Sequence, residues 1–187
     1  NIMVKSLVLY SSVTGNTEKV AQRIAEVLRR KGHDVAIVKV DEETNVDLLV
    51  YDLVFLGSAV HQWLPSNMLV NYVKRMLKTY FTSSVIVPCC PIRPDKYAVC
   101  FCTYSGPHTG VSEAIPATKW MRAFLEHVGF TVLEEWHTVG EFKNREEYST
   151  RGRLGNIKGR PDEHDLAEIE NRVIGILNAL KLCDFSF

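Results

Sequence analysis

Short apolar runs alternate with longer amphipathic stretches along the whole chain. Ser6–Tyr10 is apolar almost without interruption, which predicts a strand covered on both faces, because a strand wetted on one side would alternate. Val35–Val40, Asp52–Ser58, Tyr97–Cys102 and Phe130–Trp136 predict four further strands. Between them the apolar positions recur at helical spacing. Val20, Ile24, Val27 and Leu28 mark a helix over Thr17–Arg30, closed by Lys31-Gly32. Met68, Leu69, Tyr72, Val73, Met76 and Leu77 mark a second helix that Pro65 can open. Ala114–Val128, stopped by Gly129, and Asp165–Leu180 complete the set. Strands in strict alternation with helices imply a parallel sheet with helices on both sides. The expected class is therefore α/β, a three-layer, doubly wound, five-stranded parallel sheet of order 2-1-3-4-5. A length of 187 residues suits a single domain over 1–187.

Two segments break the alternation and read as insertions, near 82–96 and 140–162. Thr82–Asp95 carries three prolines and the Cys89-Cys90 pair. Gly140–Arg160 is polar, with Gly140, Gly152, Gly155 and Gly159, and connections this long are usually functional or disordered. Arg145, Arg151, Arg153, Lys158 and Arg160 make this segment basic. It reads either as a solvated loop or as a contact for a partner or nucleotide.

Charge and cysteine content narrow the possibilities. Lys+Arg and Asp+Glu are 22 each, so long-range attraction to nucleic acid or anionic lipid is not expected. The lack of a long apolar run or charged-then-apolar leader makes a cytoplasmic, membrane-free protein the expectation. Cys100 and Cys102 are two apart in a strand and so share one face, where they read as buried thiols in a reducing compartment. Cys89-Cys90, framed by Pro88 and Pro91, is a candidate reactive pair with only Arg93 nearby to lower its pKa. Cys183 completes an odd set.

The chemistry concentrates where the first strand hands over to the first helix. There Ser11, Ser12, Thr14, Asn16 and Thr17 crowd into "SSVTGNT". One such residue suffices to cap a helix; the excess needs another purpose. The N-terminus of that helix presents unpaired N–H groups and the positive end of a dipole. Hydroxyls of Ser12, Thr14 and Thr17 and the Asn16 amide add neutral donors, and Gly15 lets the backbone approach closely. No lysine or arginine lies in the loop and the G-x-x-x-x-G-K-[ST] pattern is absent, so a terminal monophosphate fits better than a triphosphate with magnesium.

"SVTGNTE" at Ser12–Glu18 resembles the FMN phosphate loop of the flavodoxin-like family, T/S-x-T-G-x-T. "DLVFLGSAVHQW" at Asp52–Trp63 is similar to that family's third strand and first isoalloxazine loop. "AVCFCTYSGPHTG" at Ala98–Gly110 is similar to its fourth strand and second isoalloxazine loop. The resemblance implies a flavodoxin-like fold and non-covalently bound FMN shuttling one or two electrons. It places the cofactor against Ser12, Val13, Thr14, Gly15, Asn16 and Thr17 at the phosphate. At the ring it points to Ala59, Val60, His61 and Trp63 from the first loop, and Thr103, Tyr104, Ser105, Gly106, His108 and Gly110 from the second.

The chain also departs from the family. Val60 occupies the position where the first loop often carries an aromatic, so that loop's stacking role moves to His61 or Trp63, or lapses; Tyr104 of the second loop can also stack. Backbone N–H groups of Tyr104, Ser105 and Gly106 can reach the pyrimidine edge, and His108 can donate to the reduced, anionic flavin. No Asp or Glu lies between Gly57 and Lys78 or between Thr103 and Ser112, so a reduced anionic flavin should be less penalised than in an acidic flavodoxin. Three roles follow: an electron carrier serving a redox partner protein, an NAD(P)H-dependent reductase of a quinone or other small-molecule acceptor, or a cofactor-free binding module. The intact "SVTGNTE" speaks against the third.

Overall fold

In the computed structural model, which describes residues 3–88 and 90–183, the backbone alternates strands and helices as the pattern predicts. The strands are β1 (Lys5–Ser11), β2 (Asp34–Lys39), β3 (Leu53–His61), β4 (Leu64–Pro65), β5 (Tyr97–Tyr104) and β6 (Thr131–Val139); the helices are α1 (Asn16–Arg30), α2 (Asn67–Thr82), α3 (Ile115–His127), α4 (Glu146–Thr150) and α5 (Glu163–Cys183). The sheet runs β2-β1-β3-β5-β6 with all neighbours parallel. Setting aside two-residue β4, which pairs antiparallel with the end of β3, this is the expected 2-1-3-4-5 order.

Side-chain parity explains the three layers. Leu7, Leu9, Val54, Leu56, Cys100 and Cys102 face the side covered by Leu69, Tyr72 and Met76 of α2 and Met121 and Leu125 of α3. Val8, Tyr10, Phe55, Phe101 and Trp136 face the other side, against Val20, Ile24 and Leu28 of α1 and Ile169 and Val173 of α5. Every strand in the middle of the sheet is thus apolar on both faces, as a covered parallel sheet requires. Cys100 and Cys102 are buried on one face, and burial pushes both thiols well above their usual range, so neither is a reactive thiolate. Cys89 lies outside the described residues, as does the side chain of Cys183.

Three local features differ from the pattern. Pro65 does not open α2: it sits in β4 opposite Val60, and Ser66 caps the helix by accepting from the Leu69 N–H at 3.4 Å. Residues 140–162 form an ordered excursion, with α4 inside it and Ile157 buried in the core. Arg93 donates to the carbonyls of Val85 and Val128, and its own N–H to that of Gly129. It therefore ties its own backbone and Val85 to the end of α3.

Candidate functional site

In a parallel sheet the loops that follow the strands gather along one edge. Here they are the β1–α1 loop, the β3–β4 turn, the segment after β5, and the start of the excursion after β6. Each is shaped by local chemistry.

The β1–α1 loop turns on Gly15, which caps α1 with φ +96°, a conformation that side-chain-bearing residues resist. Ser12 Oγ accepts from the N–H groups of Gly15 (3.2 Å) and Glu18 (3.3 Å), which fixes the loop and leaves its own O–H free to donate. Thr17 is buried, and its hydroxyl pairs with that of Thr103 at 2.7 Å, tying α1 to β5. Thr14 is exposed. The N–H groups of Asn16 and Thr17 point out of the first turn with no acceptor among the described residues. Asn16 plays a second part. Its Nδ2 donates to the Glu141 carbonyl at 2.9 Å, so one amide hydrogen holds the excursion rather than facing a ligand.

At the end of β3, Gln62 (φ +48°) and Trp63 (φ +69°) are both left-handed, the geometry of a type I′ turn, between His61 and its β4 partner Leu64. Neither residue type favours this region, and such strain persists only where the surroundings impose it. The turn presents Trp63 outward, 59% exposed. The segment after β5 brings Tyr104, buried with its phenol pushed upward by burial, then Ser105, buried Gly106 and exposed His108. Gly110 closes the segment from below, its N–H donating to the Gly106 carbonyl at 3.3 Å.

Two adjoining cavities lie among these loops. The first, about 390 Å³, is walled by Val13, Thr14 and Asn16, by Ala59, Val60 and His61, and by Thr103, Tyr104 and Ser105. The second, about 320 Å³, shares Val60, Tyr104 and Ser105 with the first and adds Trp63, Gly106 and His108. Ser12, Gly15, Thr17 and Gly110 line neither cavity. Both volumes are within the usual range for cofactor sites, about 300–1,000 Å³.

The excursion supplies residues that sequence reasoning did not name. Glu141, Phe142 and Lys143 wall the first cavity, and Phe142 and Tyr148 the second. Phe142 meets Tyr148 edge-on with ring centroids 5.0 Å apart. Aromatic cover therefore comes from Trp63 and Tyr104 on one part of the rim and Phe142 and Tyr148 on another. Glu141 and Glu113 bring carboxylates to the rim although the two ring loops carry none, and Lys143 brings a cation. The available signal was topological: residues just after the last strand must emerge at the same sheet edge as the other loops.

A flavin mononucleotide fits this donor set. Free first-turn N–H groups, the Ser12 and Thr14 hydroxyls and a nearby lysine suit a phosphate; the aromatic-rimmed slot suits a flat ring.

A flavodoxin domain model matches residues 7–98. The chain is 44% identical over 54 residues to the flavodoxin-like domain-containing protein BilS of Clostridioides difficile, a match over 29% of this chain and 30% of that protein. It is 23% identical over 174 residues to an NAD(P)H dehydrogenase (quinone) of Brucella anthropi, covering 82% of this chain and 76% of that one. Among solved structures, oxidised Flavodoxin 2 from Bacillus cereus superposes with TM-score 0.65 at 19% identity, over 94% of this chain and 99% of that one. No helix among the described residues is long and apolar enough to cross a membrane.

Proposed function

We propose that this chain, whose residues 7–98 match a flavodoxin domain model, is a flavodoxin-like protein that binds FMN non-covalently at this sheet edge and passes electrons to a partner protein or small acceptor in the cytoplasm. Bound FMN would supply one- or two-electron redox chemistry; the chain supplies the hold, the cover and the charge. The carrying observation is the convergence of the β1–α1 cradle and the aromatic-rimmed cavities on one edge. The N–H groups of Asn16 and Thr17, with the Ser12 and Thr14 hydroxyls, hold the phosphate. Val60, Trp63 and Tyr104 cover the ring from the strand ends, and Phe142 from the excursion. N–H groups of Ser105 and Gly106 would serve its polar edge, and His108 at the rim would offer a further hydrogen-bond donor. Buried Cys100 and Cys102 suit a reducing compartment.

A second reading, an NAD(P)H-driven quinone reductase, is favoured by the relative of that name that matches most of the chain and by Arg151 and Arg153, exposed on the excursion. One titration tests both. Quenching of FMN fluorescence with saturation at one equivalent supports the cofactor, and its absence refutes it. Rapid bleaching of the loaded protein by NAD(P)H alone then marks the reductase, and inertness to NAD(P)H marks the carrier.

A further inference from the structure

We propose that Lys143, supplied by the excursion after β6, is the charged closure of the phosphate cradle, so that affinity for FMN over riboflavin depends on a residue outside the β1–α1 loop. The inference rests on the FMN reading above.

The loop itself contains only neutral donors, and the nearest charge in sequence, Glu18, is an acid engaged with Tyr10 at 2.8 Å and Lys39 at 3.6 Å. A phosphate monoester carries between one and two negative charges near neutral pH and gains most from a cationic donor. Lys143 walls the same cavity as Val13, Thr14 and Asn16. Its Nζ lies 3.8 Å from where a Cβ would stand on Gly15, the cap of α1. Two other cations of the excursion are committed elsewhere: Lys158 pairs with Glu146 at 2.8 Å and Arg160 with Asp165 at 2.7 Å. Lys143 has no carboxylate partner among the described residues.

The backbone around Lys143 is anchored. Gly140 N–H donates to the Tyr104 carbonyl (2.9 Å), Glu141 N–H to that of Arg160 (2.8 Å), and Phe142 N–H to Ser149 Oγ (2.8 Å). Asn16 adds the bond to the Glu141 carbonyl directly from the helix end that would receive the phosphate. The cradle and its counter-charge are thus coupled through one side chain. Asn16, only 7% exposed, leaves its Oδ1 without a partner among the described residues.

The test is equilibrium titration of wild type, Lys143→Gln and Lys143→Arg with FMN and with riboflavin, at low and high salt. Loss of one charge-assisted contact should weaken FMN binding about 10- to 100-fold. Riboflavin affinity should be unchanged, the salt dependence of FMN binding should flatten, and Lys143→Arg should restore most of both. Wild-type FMN affinity in Lys143→Gln would overturn the inference. So would parallel loss of FMN and riboflavin, which would make Lys143 a structural prop. A wild-type protein that binds no FMN would instead overturn the parent reading, and this one with it.

Discussion

Gly140→Ala probes the joint between the sheet edge and the excursion. A Cβ at position 140 would stand 2.5 Å from Asn16 Nδ2, 2.9 Å from its Cγ and 3.1 Å from its Cβ. Asn16 is buried and held by its bond to Glu141, so it cannot simply swing into solvent. If it rotates, the bond is lost at about 0.5–1.5 kcal/mol; if the backbone yields, overpacking costs about 1–3 kcal/mol. The variant should therefore lose about 1–3 kcal/mol, or about 2–4 °C in Tm per kcal/mol for a domain of this size. Asn16→Ala alone forfeits the hydrogen bond but also removes an unsatisfied acceptor, so its cost should be about 1 kcal/mol. Combined, Asn16→Ala removes the two atoms that clash hardest, and the double variant should cost less than the sum by about 1–2 kcal/mol. Urea denaturation of the four proteins, followed by fluorescence and circular dichroism, measures the cycle. Costs that add to within about 0.5 kcal/mol would refute the claim that Asn16 clamps the excursion.

Gly57→Ala would drive a methyl to 2.1 Å from Phe101 Cζ in the buried face against α1 and α5, and should cost at least about 1–3 kcal/mol in chemical denaturation. Thr14→Val should weaken FMN binding without altering stability; Thr17→Val should destabilise by about 1–3 kcal/mol, because it leaves buried Thr103 Oγ1 without its partner at 2.7 Å. Burial, with Lys181 nearby, holds His33 below its ordinary 6.5, and burial does the same for His137, which pairs with the Thr118 hydroxyl. A depressed folded-state pKa means that the unfolded chain binds the proton more readily, so this stability is full above about pH 6.5 and is lost as pH falls through the folded values. Unfolding midpoints from about pH 7.5 down to 5.5 should decline, and less steeply in His33→Gln/His137→Gln; a parallel decline would remove the histidines as the cause.

The strands were legible because burial on both faces leaves an uninterrupted apolar signature, as in Leu7–Tyr10 and Val99–Cys102, and the long helices because their apolar positions recur at helical spacing. The phosphate loop was legible because its hydroxyl excess exceeds what capping needs. The β3–β4 turn was not: Gln62 and Trp63 are not turn residues by type, and only the pairing of His61 with Leu64 fixes their left-handed backbone. That pairing also displaced Pro65 from the start of α2. The excursion was legible as an interruption but not as a wall of the site, since α4 is too short to show a period. Its order comes from long-range bonds such as Asn16 to Glu141. The motif casts Asn16 as a ligand donor, whereas the fold gives one of its hydrogens to the backbone across the sheet edge.

A crystal structure of the protein with FMN tests the central claim most directly. The account predicts the phosphate at the N–H groups of Asn16 and Thr17, and the ring in the slot between the Val60–Trp63 turn, Tyr104 and Phe142. A flavin seated at any other edge of the sheet, or a β1–α1 loop that contacts no phosphate at saturating FMN, would contradict it.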